Sequence, residues 1–190
     1  MKKLLAIMGS PRKGKNTDTV LDKVLEGIDK DNVEITKVYL RDLEMNPCVA
    51  CDACTKTGKC CIRDDMSNLY DKFNHSDGII IASPVYFNTV SSLTKIMIDR
   101  CQVYWSSKYV LKNPSIDRNK KRIGMFIATG GAPNRKEQFD GCFPVMDLFF
   151  RAVNTEHKHN ILVSNTDKEQ TWTRQDILDK AYKMGVNYFK

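Results

Sequence analysis

Three short apolar runs constrain this chain most: "KKLLAIMG", "DGIIIASP" and "RIGMFIATGG", each continuous rather than alternating and each closed by glycine or proline. A strand is apolar throughout only when both of its faces are covered, the condition of a parallel sheet between two layers of helices. Parallel neighbours need crossover helices, and helical stripes stand in the gaps. Val20, Leu21, Val24, Leu25 and Ile28 make the first stripe, with Thr17 or Asp18 expected to cap it. Met66, Leu69, Tyr70 and Phe73 mark a second helix; Leu93, Met97, Cys101 and Tyr104 keep one face of a third. Val145, Leu148, Phe149 and Ala152 supply a fourth, and Ile177, Ala181, Met184 and Tyr188 the last. "VEITKVYL" alternates with period two, so Val33, Ile35, Lys37 and Tyr39 share one side of a strand nearer the sheet edge. Pro84 is expected to stop the strand it closes, and "NILV" reads as a weak final strand. This alternation predicts an α/β fold: a five-stranded parallel sheet in three layers, one domain over 1–190, with a cysteine-rich insertion (41–65) after the second strand.

Bulk properties narrow the function classes. With 190 residues, 42% of them hydrophobic, the chain can bury one substantial core. The start "MKKLLAIM" imitates a secretory leader, yet its apolar run is shorter than the roughly 7–15 residues such a leader needs. No other run is long and apolar enough to span a bilayer, so a cytoplasmic protein without a membrane partner is expected. The net charge of +7 invites a nucleic-acid reading. Basic residues are scattered, however, and the densest run, "RNKKR" at Arg118–Arg122, has no aromatic residues interleaved as a stacking platform. No nucleic-acid partner is expected; the charge suits a solvated surface or an acidic small electron carrier.

Ligands of open parallel sheets sit beyond the carboxyl ends of the strands. The segments there are "GSPRKGKNT", "SPVYFNTVSS" and "TGGAPNRK". The first fits the opening of a nucleotide triphosphate loop, but Asn16 stands where a magnesium-binding hydroxyl is needed, and the other buried strands end in Ser83 and Thr129 rather than Asp. A G-x-G-x-x-G dinucleotide fingerprint is missing as well. What remains is a set of hydroxyl, amide and cationic donors at a helix N-terminus, suited to a phosphate monoester without a metal. In "SPVYFN", proline and aromatic side chains offer a surface to a flat ligand, and Asn88 meets its polar edge; in "TGG", backbone can approach a ring closely. One phosphate loop and two ring-facing loops on one rim describe a flavin mononucleotide (FMN) pocket.

Seven cysteines are many for a cytoplasmic chain, which favours metal or redox chemistry. Cys48, Cys51 and Cys54 follow one another at three-residue steps, and Cys60 and Cys61 come next. The first three match the spacing of iron-sulfur ligand runs; the gap to Cys60 is five residues rather than three and no proline follows. Structural zinc usually draws on two separated knuckles, and a second is lacking here. From the residues alone a [4Fe-4S] cluster, zinc, and disulfides or free thiols all stay open. Cys101 and Cys142 are expected to pack as small hydrophobes. His157 and His159 would share one side of an extended segment without holding a metal. Asp64 and Asp65 are expected to cap a helix, and Asp99 and Arg100 to form a surface or interface pair.

"GSPRKGKNT", "SPVYFNTVSSLTKIMIDR" and "TGG" resemble the flavodoxin-like FMN reductases. Together with "CVACDACTKTGKC" and "DDM", they resemble more narrowly the iron-sulfur flavoproteins of anaerobic microbes, over Leu4 to about Gly131. The resemblance implies a flavodoxin-like fold and an FMN-dependent oxidoreductase drawing electrons from NAD(P)H or ferredoxin. Ser10, Arg12, Asn16 and Thr17 would hold the FMN phosphate. Pro84, Val85, Tyr86, Phe87 and Asn88, with Thr129, Gly130 and Gly131, would surround the isoalloxazine ring. Cys48, Cys51, Cys54 and Cys60 would ligate a [4Fe-4S] cluster, Cys60 being preferred for its distance to "DDM" and Cys61 standing as the rival ligand or spare thiol. The resemblance also implies a homodimer or homotetramer and a small-molecule or ferredoxin-like donor or acceptor; electron transfer itself requires no general acid or base, so no catalytic residue is expected. The alternative is an NAD(P)H-dependent FMN or quinone reductase lacking a cluster; a third is a cysteine-based redox or metal sensor.

Overall fold

The computed structural model describes residues 1–133, 135 and 137–190. Strand β1 (Lys2–Met8) leads through helix α1 (Asn16–Gly27) to β2 (Val33–Tyr39). A short helix α2 (Ala53–Thr57) lies in the cysteine segment, and α3 (Met66–His75) precedes β3 (Gly78–Tyr86). A two-residue β4 (Thr89–Val90) then opens onto α4 (Ser92–Arg100), α5 (Gln102–Trp105) and one π-helical turn (Ser106–Val110). The chain closes with β5 (Arg122–Thr129), α6 (Cys142–Ala152), β6 (Thr155–Val163) and α7 (Gln175–Val186).

The five long strands pair in parallel in the order β2-β1-β3-β5-β6, and β4 folds back antiparallel on the end of β3. Period-two alternation divides the core between the two faces. Leu5, Ile7, Ile79, Ile81, Phe126 and Ala128 meet α3, α4 and α6 through Leu69, Phe73, Met97, Met146 and Phe149. Leu4, Ala6, Met8, Ile80, Met125 and Ile127 meet α1 and α7 through Val20, Leu21, Val24, Ala181 and Tyr188. The expected α/β three-layer architecture and edge position of β2 are therefore observed, and Val33, Ile35 and Tyr39 do lie on one side.

Several local expectations need correction. Strand β3 runs through Pro84 to Tyr86, because beyond Ala82 it has only β5 as a parallel neighbour and a missing N–H is tolerated at such an edge. Lys15, not Thr17 or Asp18, takes the N-cap position of α1. The third helix breaks at Cys101 instead of running to Tyr104, although Met97, Cys101 and Tyr104 are all buried. Helix α6 buries Cys142, Met146, Phe149 and Phe150, leaving Leu148 65% exposed; "CFPVMDLFF" is apolar on most sides, so two overlapping stripes fit it equally. Strand β6 starts at Thr155, well before "NILV". A bulge between the Gly124–His157 and Met125–His159 pairs sends the two histidines to opposite faces, His157 against Phe150 and His159 toward Tyr188.

Candidate functional site

The segments after β1, β3, β5 and β6 meet in one cleft of about 390 Å3, within the roughly 300–1,000 Å3 typical of small-molecule sites. Ser10, Arg12, Lys15, Asn16 and Thr17 line it from the first loop, Pro84 to Phe87 from the β3 end, and Thr129, Gly131 and Ala132 from the β5 end. Thr166 and Asp167 complete it. Asn88 and Gly130 adjoin these loops without lining the cleft.

Local chemistry explains the shape of the first loop. Ser10 Oγ accepts the Arg12 N–H at 3.0 Å, and the Asp18 carboxylate accepts the Gly14 N–H at 2.6 Å. Gly14 takes φ +64°, a left-handed turn that glycine adopts without strain. Asp18 is buried, and its charge is met by Lys37 Nζ at 2.6 Å and Tyr39 Oη at 3.3 Å. Burial works against the Lys37 ammonium, but Asp18 and Asp22 outweigh it and hold its pKa above the ordinary lysine value. Beneath the loop, Ser91 Oγ donates to the Gly9 carbonyl at 2.6 Å, and the Ser91 N–H donates to Ser83 Oγ at 2.9 Å. The loop is thereby tied to both β3 and the start of α4.

The side chains expected to hold phosphate are partly committed within the chain. Thr17 Oγ1 lies 2.6 Å from Thr129 Oγ1, both buried. Asn16 donates from Nδ2 to the Thr166 carbonyl at 3.3 Å and accepts the Thr171 N–H at 2.9 Å. Arg12 is exposed and makes no ion pair among the described residues. The first turn of α1, whose N–H groups have no intrahelical acceptor, forms part of the wall through Asn16 and Thr17. This leaves backbone donors, the helix N-terminus and the Arg12 and Lys15 cations for an anionic group.

On the opposite side, Phe87 (φ 50°) and Asn88 (φ 58°) are both left-handed between the paired Tyr86 and Thr89, a two-residue hairpin turn of the primed kind. Asn tolerates this conformation; Phe does so at a cost, and its ring is fully exposed at the tip. The glycine pair serves neighbours in the chain. A Cβ on Gly130 would come within 2.3 Å of Gln138 Nε2, and one on Gly131 within 2.3 Å of the Asp167 carboxylate.

In the cysteine segment, Cys48, Cys51 and Cys61 are exposed, and Cys54 and Cys60 are partly buried. Cys51 Sγ and Cys61 Sγ are 3.2 Å apart, and Cys54 Sγ is 3.5 Å from Ser106 Oγ. The Ala53 N–H and the Cys61 thiol hold the Cys51 pKa below its ordinary value, while the contact with Cys51 pushes Cys61 up. Among the described residues no three Cys, His, Asp or Glu side chains converge as a metal site. Five thiols on one stretch are the right donors for a thiophilic centre, but as placed only Cys51 and Cys61 touch.

The family model for NADPH-dependent FMN reductases matches residues 2–154. The chain belongs to the NADPH-dependent FMN reductase family. It is an FMN-dependent oxidoreductase with a flavodoxin-like fold. An iron-sulfur flavoprotein of Methanosarcina thermophila is 34% identical over 185 residues, covering 96% of this chain and 93% of that protein. Another, from Methanocaldococcus jannaschii, is 41% identical over 98 residues, about half of each chain at 52% and 51%. Among solved structures, an FMN-dependent NADH-azoreductase of Bacillus anthracis in complex with FMN superposes with TM-score 0.71 at 18% identity, over 99% of this chain and 97% of that one. An NAD(P)H:quinone oxidoreductase from Methanothermobacter marburgensis gives TM-score 0.72 at 11% identity, over 100% and 98%.

In this FMN reductase the sequence reading missed Lys15, Ala132, Thr166 and Asp167 as cleft residues. The signal for the last two lies in the sequence: "SNTD" follows the final strand as the other cleft loops follow theirs. Lys15 also stands over the Trp172 ring at 5.6 Å. Asp99 and Arg100 do not pair as expected. Asp99 bonds Lys95 at 2.7 Å on the surface, whereas Arg100 is fully buried against Asp64 at 2.7 Å. Asp65 takes the N-cap position of α3 as expected, but its carboxylate accepts the Glu44 N–H at 2.8 Å, and it is Asp64 that accepts the Met66 N–H of the helix at 3.1 Å. Burial opposes the Asp64 charge, and Arg100 outweighs it, keeping its pKa below the carboxylate range. Cys101 and Cys142 are buried as expected, and burial pushes the Cys142 thiol up to about 11. No helix among the described residues is long and apolar enough to cross a membrane.

Proposed function

We propose that this oxidoreductase holds FMN in the cleft and exchanges electrons between that flavin and a [4Fe-4S] cluster in the cysteine segment. The observation that carries the reading is the convergence of the loops after β1, β3 and β5 on one cleft, which joins an anion-accepting helix start to an aromatic rim. The flavin supplies one- and two-electron chemistry, and a cluster supplies single-electron steps. The chain's own residues bind and orient. The loop from Ser10 to Thr17, with Arg12 as the cation, takes the phosphate. Pro84 to Asn88 and Thr129 to Gly131 frame the ring, and no side chain is required to move a proton. Cys48, Cys51 and Cys54 with Cys60 would hold the cluster; the 3.2 Å approach of Cys61 to Cys51 makes Cys61 the competing fourth ligand.

The relatives named iron-sulfur flavoprotein support the cluster. The net charge of +7 suits an acidic ferredoxin-like partner, steered by long-range attraction. The reading includes a cytoplasmic location and a homodimer or homotetramer. A reductase that works from NAD(P)H without a cluster is the second reading, favoured by the lack of three converged metal-ligating side chains among the described residues. Anaerobic purification followed by FMN, iron and acid-labile sulfide assays separates them. Stoichiometric FMN with iron and sulfide in equal amounts is the expected result. Flavin with only traces of iron leaves the second reading, and a colourless protein that takes up no FMN defeats both.

A further inference from the structure

Arg100 closes α4 with its side chain at 0% exposure, and Asp64 is at 4%. The two meet at two points, Nη1 to Oδ2 at 2.7 Å and Nη2 to Oδ1 at 3.1 Å. The same guanidinium donates to the Asn46 carbonyl at 2.8 Å and to the Ile62 carbonyl at 3.3 Å. Asp64 in turn accepts the Asn46 N–H at 2.9 Å. Asn46 and Ile62 stand just outside Cys48 and Cys61, so one buried cation fastens both ends of the cysteine segment to the core.

Packing does not call for this arrangement. Burying two charges costs desolvation that only good geometry offsets, and an apolar pair of similar volume would serve a core as well. The span between the ends has little core of its own: α2 buries no residue, and Ala50 and Asp52 are held left-handed at φ 52° and 56°. A span of this kind takes its shape from its anchors. The anchor is itself positioned, since Tyr70 Oη donates to the Arg100 carbonyl at 2.9 Å and Tyr104 Oη to the Tyr70 carbonyl at 3.0 Å.

We propose that Arg100 and Asp64 form a clasp that closes the base of the cysteine segment, a positioning pair that sets the separation of its thiols and so controls whether a metal centre assembles there. The metal rests on the reading given under Proposed function; the clasp rests on the hydrogen bonds named here. Hydrogen exchange on protein stripped of iron with a chelator reads the clasp alone. In Arg100→Met, amides of residues 46–62 should exchange about tenfold faster than in the parent, while those of β1 and β5 keep their rates. Arg100→Lys should fall between, because a single ammonium cannot span two carboxylate oxygens and two carbonyls. In anaerobic preparations, iron per chain should fall about tenfold in Arg100→Met with FMN content unchanged.

If Arg100→Met does not yield soluble protein, the double variant R100M/D64N removes both buried charges and is read in the same way. Unchanged exchange over 46–62 overturns the clasp. Faster exchange with full iron content overturns its control of assembly. Faster exchange in a protein whose parent also lacks iron upholds the clasp and overturns the cluster.

Discussion

Thr17 and Thr129 share a hydrogen bond of 2.6 Å at a point where both side chains are buried, joining the first turn of α1 to the last residue of β5. One pair of hydroxyls thus joins two walls of the cleft directly. Thr129→Val leaves the Thr17 hydroxyl buried and unpaired, at a cost of about 1–3 kcal/mol. Urea unfolding should show that loss, and FMN titration should show weaker binding. The double variant T17V/T129V removes both partners and should recover most of the stability without recovering the affinity.

Gly9 marks the exit of β1, and a Cβ there would lie 2.0 Å from Thr94 Oγ1, which itself bonds Ser91 at 3.0 Å. Gly9→Ala must displace a buried hydroxyl network, so a loss of about 1–3 kcal/mol is expected in denaturant unfolding. Gly130→Ala meets the end of a flexible Gln138 side chain and should cost less.

Phe87 keeps a left-handed backbone with its ring fully exposed. Phe87→Gly should raise stability by about 1 kcal/mol through relief of that conformation. If the ring serves the flavin, the same variant should bind FMN more weakly by about 1 kcal/mol, the scale of one aromatic contact. Thermal melts and flavin fluorescence titration measure the two opposing effects.

Acid should act through Asp77. Its carboxylate accepts the Lys3 N–H at 2.7 Å and pairs with Lys120 at 2.9 Å. Burial works to raise its pKa, but Lys120 and the Lys3 N–H outweigh it and hold the folded value below the ordinary one. A depressed folded pKa contributes stability above the unfolded value, about 3.9, which is lost as pH falls through the folded one. Asp77→Asn should flatten the stability profile below about pH 4, as measured by urea midpoints across the acid range.

Thiol reactivity should sort the cysteines. In native protein stripped of metal, iodoacetamide should label Cys48, Cys51 and Cys61, with Cys51 fastest because its thiol is held below the ordinary pKa. Cys101 and Cys142 should stay unlabelled until unfolding, as peptide mapping by mass spectrometry would show.

The layered sheet was legible because continuous apolar runs such as Ile79 to Ala82 leave little choice of environment. The cleft loops were legible as segments following those runs, down to Ser10, Thr17 and Thr129. Side-chain commitments were less so. Asn16 reads as a phosphate donor in sequence, yet its amide is bonded to Thr166 and Thr171, and no local pattern announces partners so distant. Arg100 beside Asp99 suggests a surface pair, because nothing in "IDR" reveals that the partner is Asp64 on another element. The bulge before His159 is hidden for the same reason: only pairing with β5 defines it.

The bonds from Asn16 also carry a consequence for how the molecule is made. Thr166 and Thr171 stand 150 and 155 residues downstream of it, so the helix start facing the cleft gains these partners only after β6 has been made. Contacts of such long sequence separation close late, after loop-closure entropy has been met elsewhere. On a ribosome that synthesises from the N-terminus, the loop after β1 is thus finished only once the segment after β6 has emerged, and competence to hold a cofactor arrives with that segment rather than with β1.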